Sequence, residues 1–147
     1  MSNTTNTVEQ ASKLLAASYV LYLKTHNFHW NVKGPMFSTL HTLFMTQYTE
    51  LALAVDEIAE RIRALGHPAP GTFKDFYDLS TVKEVAGVPK ATEMIQILAS
   101  DQERIVEASK ALFKAAEAAG DQASADLAVR RMDVHQKNAW MLSAHLD

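Results

Sequence analysis

Apolar residues along this chain recur in steps of three and four, not in alternation. The clearest stripe is Leu40, Phe44, Leu51, Val55, Ile58, Ile62 and Leu65, which omits one turn at Gln47 and Tyr48. Such spacing places side chains on one face of an α-helix. It predicts a helix over 36–65, opened by Pro35 and stopped by Gly66, Pro68 and Pro70. Proline suits a first turn because its missing N–H would be unbonded there, and glycine suits the residue after a last turn. The same spacing predicts helices over 8–32 (Leu15, Tyr19, Tyr22, Leu23), over 90–119 (Met94, Ile97, Leu98, Ile105, Ala108, Leu112) and over 122–146 (Leu127, Met132, Trp140, Met141). Residues 72–80 lie between breakers and suit a short helix across the others. No segment alternates long enough to make a strand. The fold class expected is all-α: a four-helix bundle with a short extra helix in the connection between helices 2 and 3. Residues 8–147 then form a single domain, preceded by a flexible polar tail over 1–7.

Composition narrows the function. The chain has 147 residues, 48% of them apolar, with five glycines, four prolines and no cysteine. That length supports one sizeable core. Without cysteine there is no thiolate metal site, disulfide or redox pair, which points to the cytoplasm. The start, "MSNTTNTVEQ", has neither the basic nor the apolar region of a secretory signal, and no apolar run approaches the roughly 20 residues that span a bilayer. Net charge is −3, the stretch before Val8 has no Lys or Arg, and the last residue is Asp147. Few cations means few counterions released from a phosphate backbone, so little affinity for DNA is expected.

The candidate chemistry is metal binding. "HNFHWNVKGPMFSTLH", residues 26–41, holds three of the six histidines, and "DEIAE" follows with Asp56 and Glu60 four apart. Two imidazoles and two carboxylates suit iron or zinc. Yet His41 and Asp56 are fifteen residues apart on one predicted helix, a rise of about 22 Å. One straight helix cannot bring both to one ion. His29, just before Gly34-Pro35, can meet His41 if the first two helices are antiparallel. The chain therefore offers a histidine half-site at one end of the second helix and a carboxylate half-site towards the other. Two copies packed antiparallel about a two-fold axis near residue 49 bring the halves together, twice per dimer. Thr49 and Ala52 on that face are small enough for close approach. The plainer alternative keeps His41 bonded to a carbonyl, with Asp56 solvated and Glu60 paired to Arg63. No histidine has a Glu three residues earlier, so the intrachain di-iron pattern of helix bundles is absent. HExxH, GxGxxG and P-loop motifs are absent too.

"HNFHWNVKGPMFSTLH", then "YTELALAVDEIAERIRALG", then "RRMDVHQKNAWMLSAHL" together resemble the Dps family of mini-ferritins over essentially the whole chain. The resemblance implies a ferritin-like bundle that assembles into a hollow dodecamer. It implies Fe(II) oxidation, by hydrogen peroxide in preference to dioxygen, with ferric oxide stored inside and DNA thereby protected. The implied ligands are His29 and His41 of one subunit with Asp56 and Glu60 of its partner, holding up to two irons. Trp30 is expected to be an interface or core aromatic first, to which the resemblance adds the role of a nearby electron donor; Trp140 could share that role but is expected to pack. The resemblance assigns Asp121 and Asp126 to an acidic three-fold pore, with a place at the start of the last helix, favoured by its dipole, as the alternative for Asp121. One position departs from the pattern: where the family often has an acid one turn after the second histidine, this chain has Met45. Thioether is a poor iron ligand, so the second iron is expected to bind weakly. His26 is left between two roles, a group supporting the ligands from behind and a satisfied core histidine, with the second favoured. Loading should weaken as pH falls through the range where histidine charges. The competing functions are a DNA-condensing nucleoid protein with minor ferroxidase activity and a redox-silent shell that holds zinc.

Overall fold

The computed structural model describes residues 2–147. Five α-helices follow in order: α1 Asn3–Asn31, α2 Phe37–Ala64, α3 Phe73–Leu79, α4 Ala91–Ala118 and α5 Gln122–Ser143, with a closing 3-10 turn, Ala144–Leu146. The architecture is all-α and ferritin-like, as the periodicity and the resemblance together predicted. Helix α1 packs against α2 and α4, α5 packs against α4, and α3 lies on α1.

The first helix starts five residues before the apolar pattern does. Ser2 caps it, its side chain accepting from the Thr5 N–H at 3.0 Å. Asn3 adds a tie to the distant end of α4, donating to the Ala118 carbonyl at 3.0 Å. Residues 3–7 are therefore helical where the polar composition suggested a flexible tail, and Met1 lies outside the described residues. Capping bonds of this kind typically stabilise a helix start by about 1 kcal/mol. At the other end of that pair, α4 stops at Gly120, whose φ of +66° is open to glycine; the next N–H, of Asp121, bonds back to the Ala116 carbonyl at 2.9 Å.

The core runs the length of the bundle. Leu14 and Leu21 of α1, Phe44 and Ile58 of α2, and Met94 and Leu98 of α4 are fully buried. Each such side chain contributes about 1.5–3 kcal/mol by leaving water. The turn skipped in the α2 stripe has a cause: Gln47 is buried, and one turn further Glu50 reaches across to α5. Arg131 of α5 grips both Glu50 carboxylate oxygens, at 2.6 and 3.0 Å. Its Nη2 also donates to His135 Nε2 at 2.9 Å, and His135 Nδ1 donates to Gln102 Oε1 of α4 at 2.6 Å. His135 is completely buried. Burial first, and then the adjacent Arg131 charge, hold its pKa well below the ordinary 6.5. A second buried pair, Lys24 with Asp101 at 2.7 Å, ties α1 to α4. Lys24 also donates to the Lys83 carbonyl at 2.8 Å, which pins the long connection to the bundle.

Only Phe76 of α3 is buried; Phe73 and Tyr77 face outward. Trp140, expected to pack, is 67% exposed on α5. Its helix buries Leu127, Ala128 and Leu142 instead.

Candidate metal centre

The turn over 32–36 decides how the two histidines meet. Gly34 has φ +107°, a conformation L side chains rarely adopt, and Pro35 follows. The chain reverses there, and the end of α1 lies beside the start of α2. His29 and His41 face each other with ring centroids 3.7 Å apart and planes 13° from parallel. His29 Nδ1 donates to the His41 carbonyl at 2.6 Å, and His41 Nδ1 donates to the His29 carbonyl at 2.7 Å. A carbonyl can only accept, so each Nδ1 carries the ring proton. In the neutral ring each Nε2 is then unprotonated, the form in which imidazole ligates metal. Carbonyl partners of this kind fix the tautomer and orientation of metal-bound histidines. The carbonyl bond that the plainer reading gave His41 is thus present, and it readies the other nitrogen. Among the described residues, neither Nε2 has a hydrogen-bond partner.

Asp56 and Glu60 stand exposed on α2, and no ion pair among the described residues engages either. The Glu60–Arg63 pair does not form; Arg63 donates to the His67 carbonyl at 3.0 Å instead. Helix α2 is unbroken from Phe37 to Ala64, so the carboxylates stay far from the histidines of their own chain. No group of three or more His, Asp or Glu side chains suited to a metal comes together among the described residues. The face between the half-sites is exposed: Met45, Thr49, Ala52 and Leu53, the last 73% accessible. Apolar groups left in water beside unpaired carboxylates are what an interface between copies presents.

Around the histidine pair sit rings that the spacing did not reveal. Tyr48 is edge-on to His29 at 5.2 Å. His26 is partly buried rather than in the core, lying 4.3 Å from Tyr48 and 3.9 Å from Trp30, centroid to centroid. Desolvation, then the neighbouring His29, lower the His26 pKa below 6.5. Trp30 itself is 58% exposed. The interrupted stripe at Gln47-Tyr48 was the sequence signal for Tyr48.

The two acids assigned to a pore differ. Asp121 caps α5, accepting from the Ser124 N–H and from Arg61, both at 3.0 Å. Burial works to raise its pKa, but the Ser124 bonds and Arg61 outweigh it and leave the group lowered. Asp126 is exposed and pairs at 3.0 Å with Arg130, which also binds Glu57 at 2.6 Å.

Known proteins share this arrangement of helices. The family model for a ferritin-like domain matches residues 8–147. DNA protection during starvation protein 2 of Bacillus anthracis is 39% identical over 140 residues, covering 95% of this chain and 96% of that protein. The crystal structure of Dps from Staphylococcus aureus superposes with a TM-score of 0.96 at 36% identity, over 100% of this chain and 99% of that one. The Dps protein of Vibrio cholerae O1, described as a member of a broad superfamily of ferritin-like diiron-carboxylate proteins, gives 0.94 at 28% identity, over 99% and 91% of the two chains.

Proposed function

The chain belongs to the Dps proteins of the ferritin-like family, and from that premise we propose that it oxidises Fe(II) at centres shared between two-fold-related copies. One observation carries the reading. The reciprocal Nδ1–carbonyl bonds ready two Nε2 lone pairs at one end of α2, while unpaired Asp56 and Glu60 stand towards the other. Each protomer thus holds two incomplete halves, and antiparallel pairing of α2 across the Met45–Leu53 face completes both. The centre joins His29 and His41 of one copy to Asp56 and Glu60 of the next.

Imidazole and carboxylate hold Fe(II) and also accept the harder Fe(III), with coordination positions left for the oxidant. Hydrogen peroxide is the oxidant we favour. Its reduction by two electrons releases no hydroxyl radical, so iron and peroxide are removed together and DNA is protected without being touched. The product is ferric oxide, stored within a closed shell of twelve copies. Asp126, exposed near the start of α5, suits the acidic path by which iron reaches the interior; Asp121, engaged as a helix cap and by Arg61, suits it less. Met45 leaves the second iron position weak. The net charge of −3 favours this reading over DNA condensation. The compartment we favour is the cytoplasm; no helix among the described residues is long and apolar enough to cross a membrane.

Complementation tests the shared centre. A His29→Ala/His41→Ala protein and an Asp56→Ala/Glu60→Ala protein should each fail to turn over Fe(II) with peroxide. Unfolding the two together and refolding them as a mixture should restore activity, because some pairs then carry one intact centre. If the mixture stays inactive while both parents assemble, the shared centre is wrong.

A further inference from the structure

The polar network in the middle of the bundle is arranged around one cation. The Arg131 guanidinium meets both oxygens of Glu50 on α2, at 2.6 and 3.0 Å, and His135 Nε2 on its own helix, at 2.9 Å. A guanidinium offers only hydrogens, so both partners turn lone pairs towards it. His135 is held in that tautomer from behind, because its Nδ1 donates to Gln102 Oε1 on α4. Gln47, three residues before Glu50, is buried, and its Oε1 has no hydrogen-bond partner among the described residues. Residues three apart are neighbours on a helix, so Gln47 places an unused acceptor beside Glu50. Arg131 Nε is buried and unpartnered too, so the surroundings do not satisfy the guanidinium fully. Two carboxylate oxygens and an imidazole nitrogen from facing helices thus converge on one positive group, inside a single chain. Donors of these types hold divalent metals in the cores of helix bundles.

We infer that Arg131 stands in for a metal ion: it occupies an intrachain divalent-metal position and keeps it closed. Its Nη2 lies 3.0 Å from Glu50 Oε1 and 2.9 Å from His135 Nε2. A metal needs each donor at about 2.0–2.2 Å, so each must draw in by about 0.8 Å. His135 is fixed by Gln102, but the Glu50 side chain is 40% exposed and has room to move. Arginine keeps its proton at every accessible pH, so the closure does not lapse. The inference stands on the core geometry and does not need the iron-oxidising reading above. Joined to that reading, it gives Arg131 a part in directing metal: Fe(II) is refused in the core and is left to the shared centres.

The test titrates Co(II), whose visible spectrum reports its donors, into assembled proteins that all carry Asp56→Ala/Glu60→Ala, so that the proposed shared centres are weakened in each. Arg131→Met should bind one Co(II) per chain beyond whatever its parent binds. Adding Glu50→Ala or His135→Ala should weaken that binding at least tenfold. Arg131→Lys, which restores a positive charge beside Glu50, should show no gain. A purely structural role for Arg131 moves stability but adds no metal. Assembled Arg131→Met with no further Co(II), or a gain that survives both Glu50→Ala and His135→Ala, overturns the inference. If Arg131→Met does not fold by itself, refolding it with Co(II) decides. Assembly that depends on the metal supports the position, and failure with and without metal overturns it.

Discussion

Histidine appears in two settings in this bundle, and they differ in how many ring nitrogens are left free. His135 has both engaged, Nδ1 with Gln102 and Nε2 with Arg131, in a site sealed from water. His29 and His41 have one engaged each, and by the other's backbone. The first arrangement ties α2, α4 and α5 together through a polar network inside the core. The second orients a ring while reserving its lone pair. The carboxylates divide the same way: Glu50 is gripped by Arg131, whereas Asp56 and Glu60 stand unpaired. Ligating capacity in this fold follows from what remains unsatisfied, not from residue type.

The contrast breaks most sharply under substitution. Asp56→Ala should reduce peroxide-driven Fe(II) oxidation by more than the roughly 100-fold that loss of a ligand's outer partner can cost. Its unfolding free energy should stay within about 0.5 kcal/mol of the unmodified protein, because the side chain is exposed and unpaired. His135→Ala should do the reverse. It strands Gln102 and Arg131 groups in the core and should cost about 2–4 kcal/mol by denaturant titration, while iron binding per assembled centre is retained. A loss of iron binding in folded His135→Ala would erase the distinction.

Acid should act through the closed histidine. Its folded pKa is lowered, so below its ordinary value of 6.5 the unfolded chain takes up a proton that the native state refuses. Stability from this group is full above that pH and is lost as pH falls from there towards the folded value. Denaturant midpoints measured from neutral to acidic pH should show this slope, and His135→Gln should flatten it. The smallest expected effect sharpens the open side. Met45→Glu should raise tightly bound Fe(II) from one to two per centre in an anaerobic titration.

Sequence periodicity was enough for the four long helices because aliphatic side chains recur on the buried face of each, while the short α3 was marked only by the breakers around it; Gly34, Gly66 and Gly120 mark helix ends. It missed the start of α1, since Asn3 to Asn6 carry no apolar pattern and the Ser2 cap, not burial, begins that helix. The candidate ligands were legible as spacing, and the geometric conflict between His41 and Asp56 was legible from helix rise alone. The reciprocal histidine bonds were not, because their acceptors are backbone carbonyls, which every residue shares. Tyr48 and the Glu50–Arg131–His135–Gln102 network were visible only as a gap in the α2 stripe, a gap that reads equally as noise until the facing helices are in place. Trp140 was misplaced because an aromatic at helical spacing looks like core whichever way its face turns.

Helix α2 carries both halves of the proposed centre on one rigid span, and this has a consequence for the life of the protein. On that proposal a newly made chain, still alone, holds no complete centre. Complete centres form as pairs form, so at low concentration activity would rise with the square of protomer concentration and level off once the chains are paired.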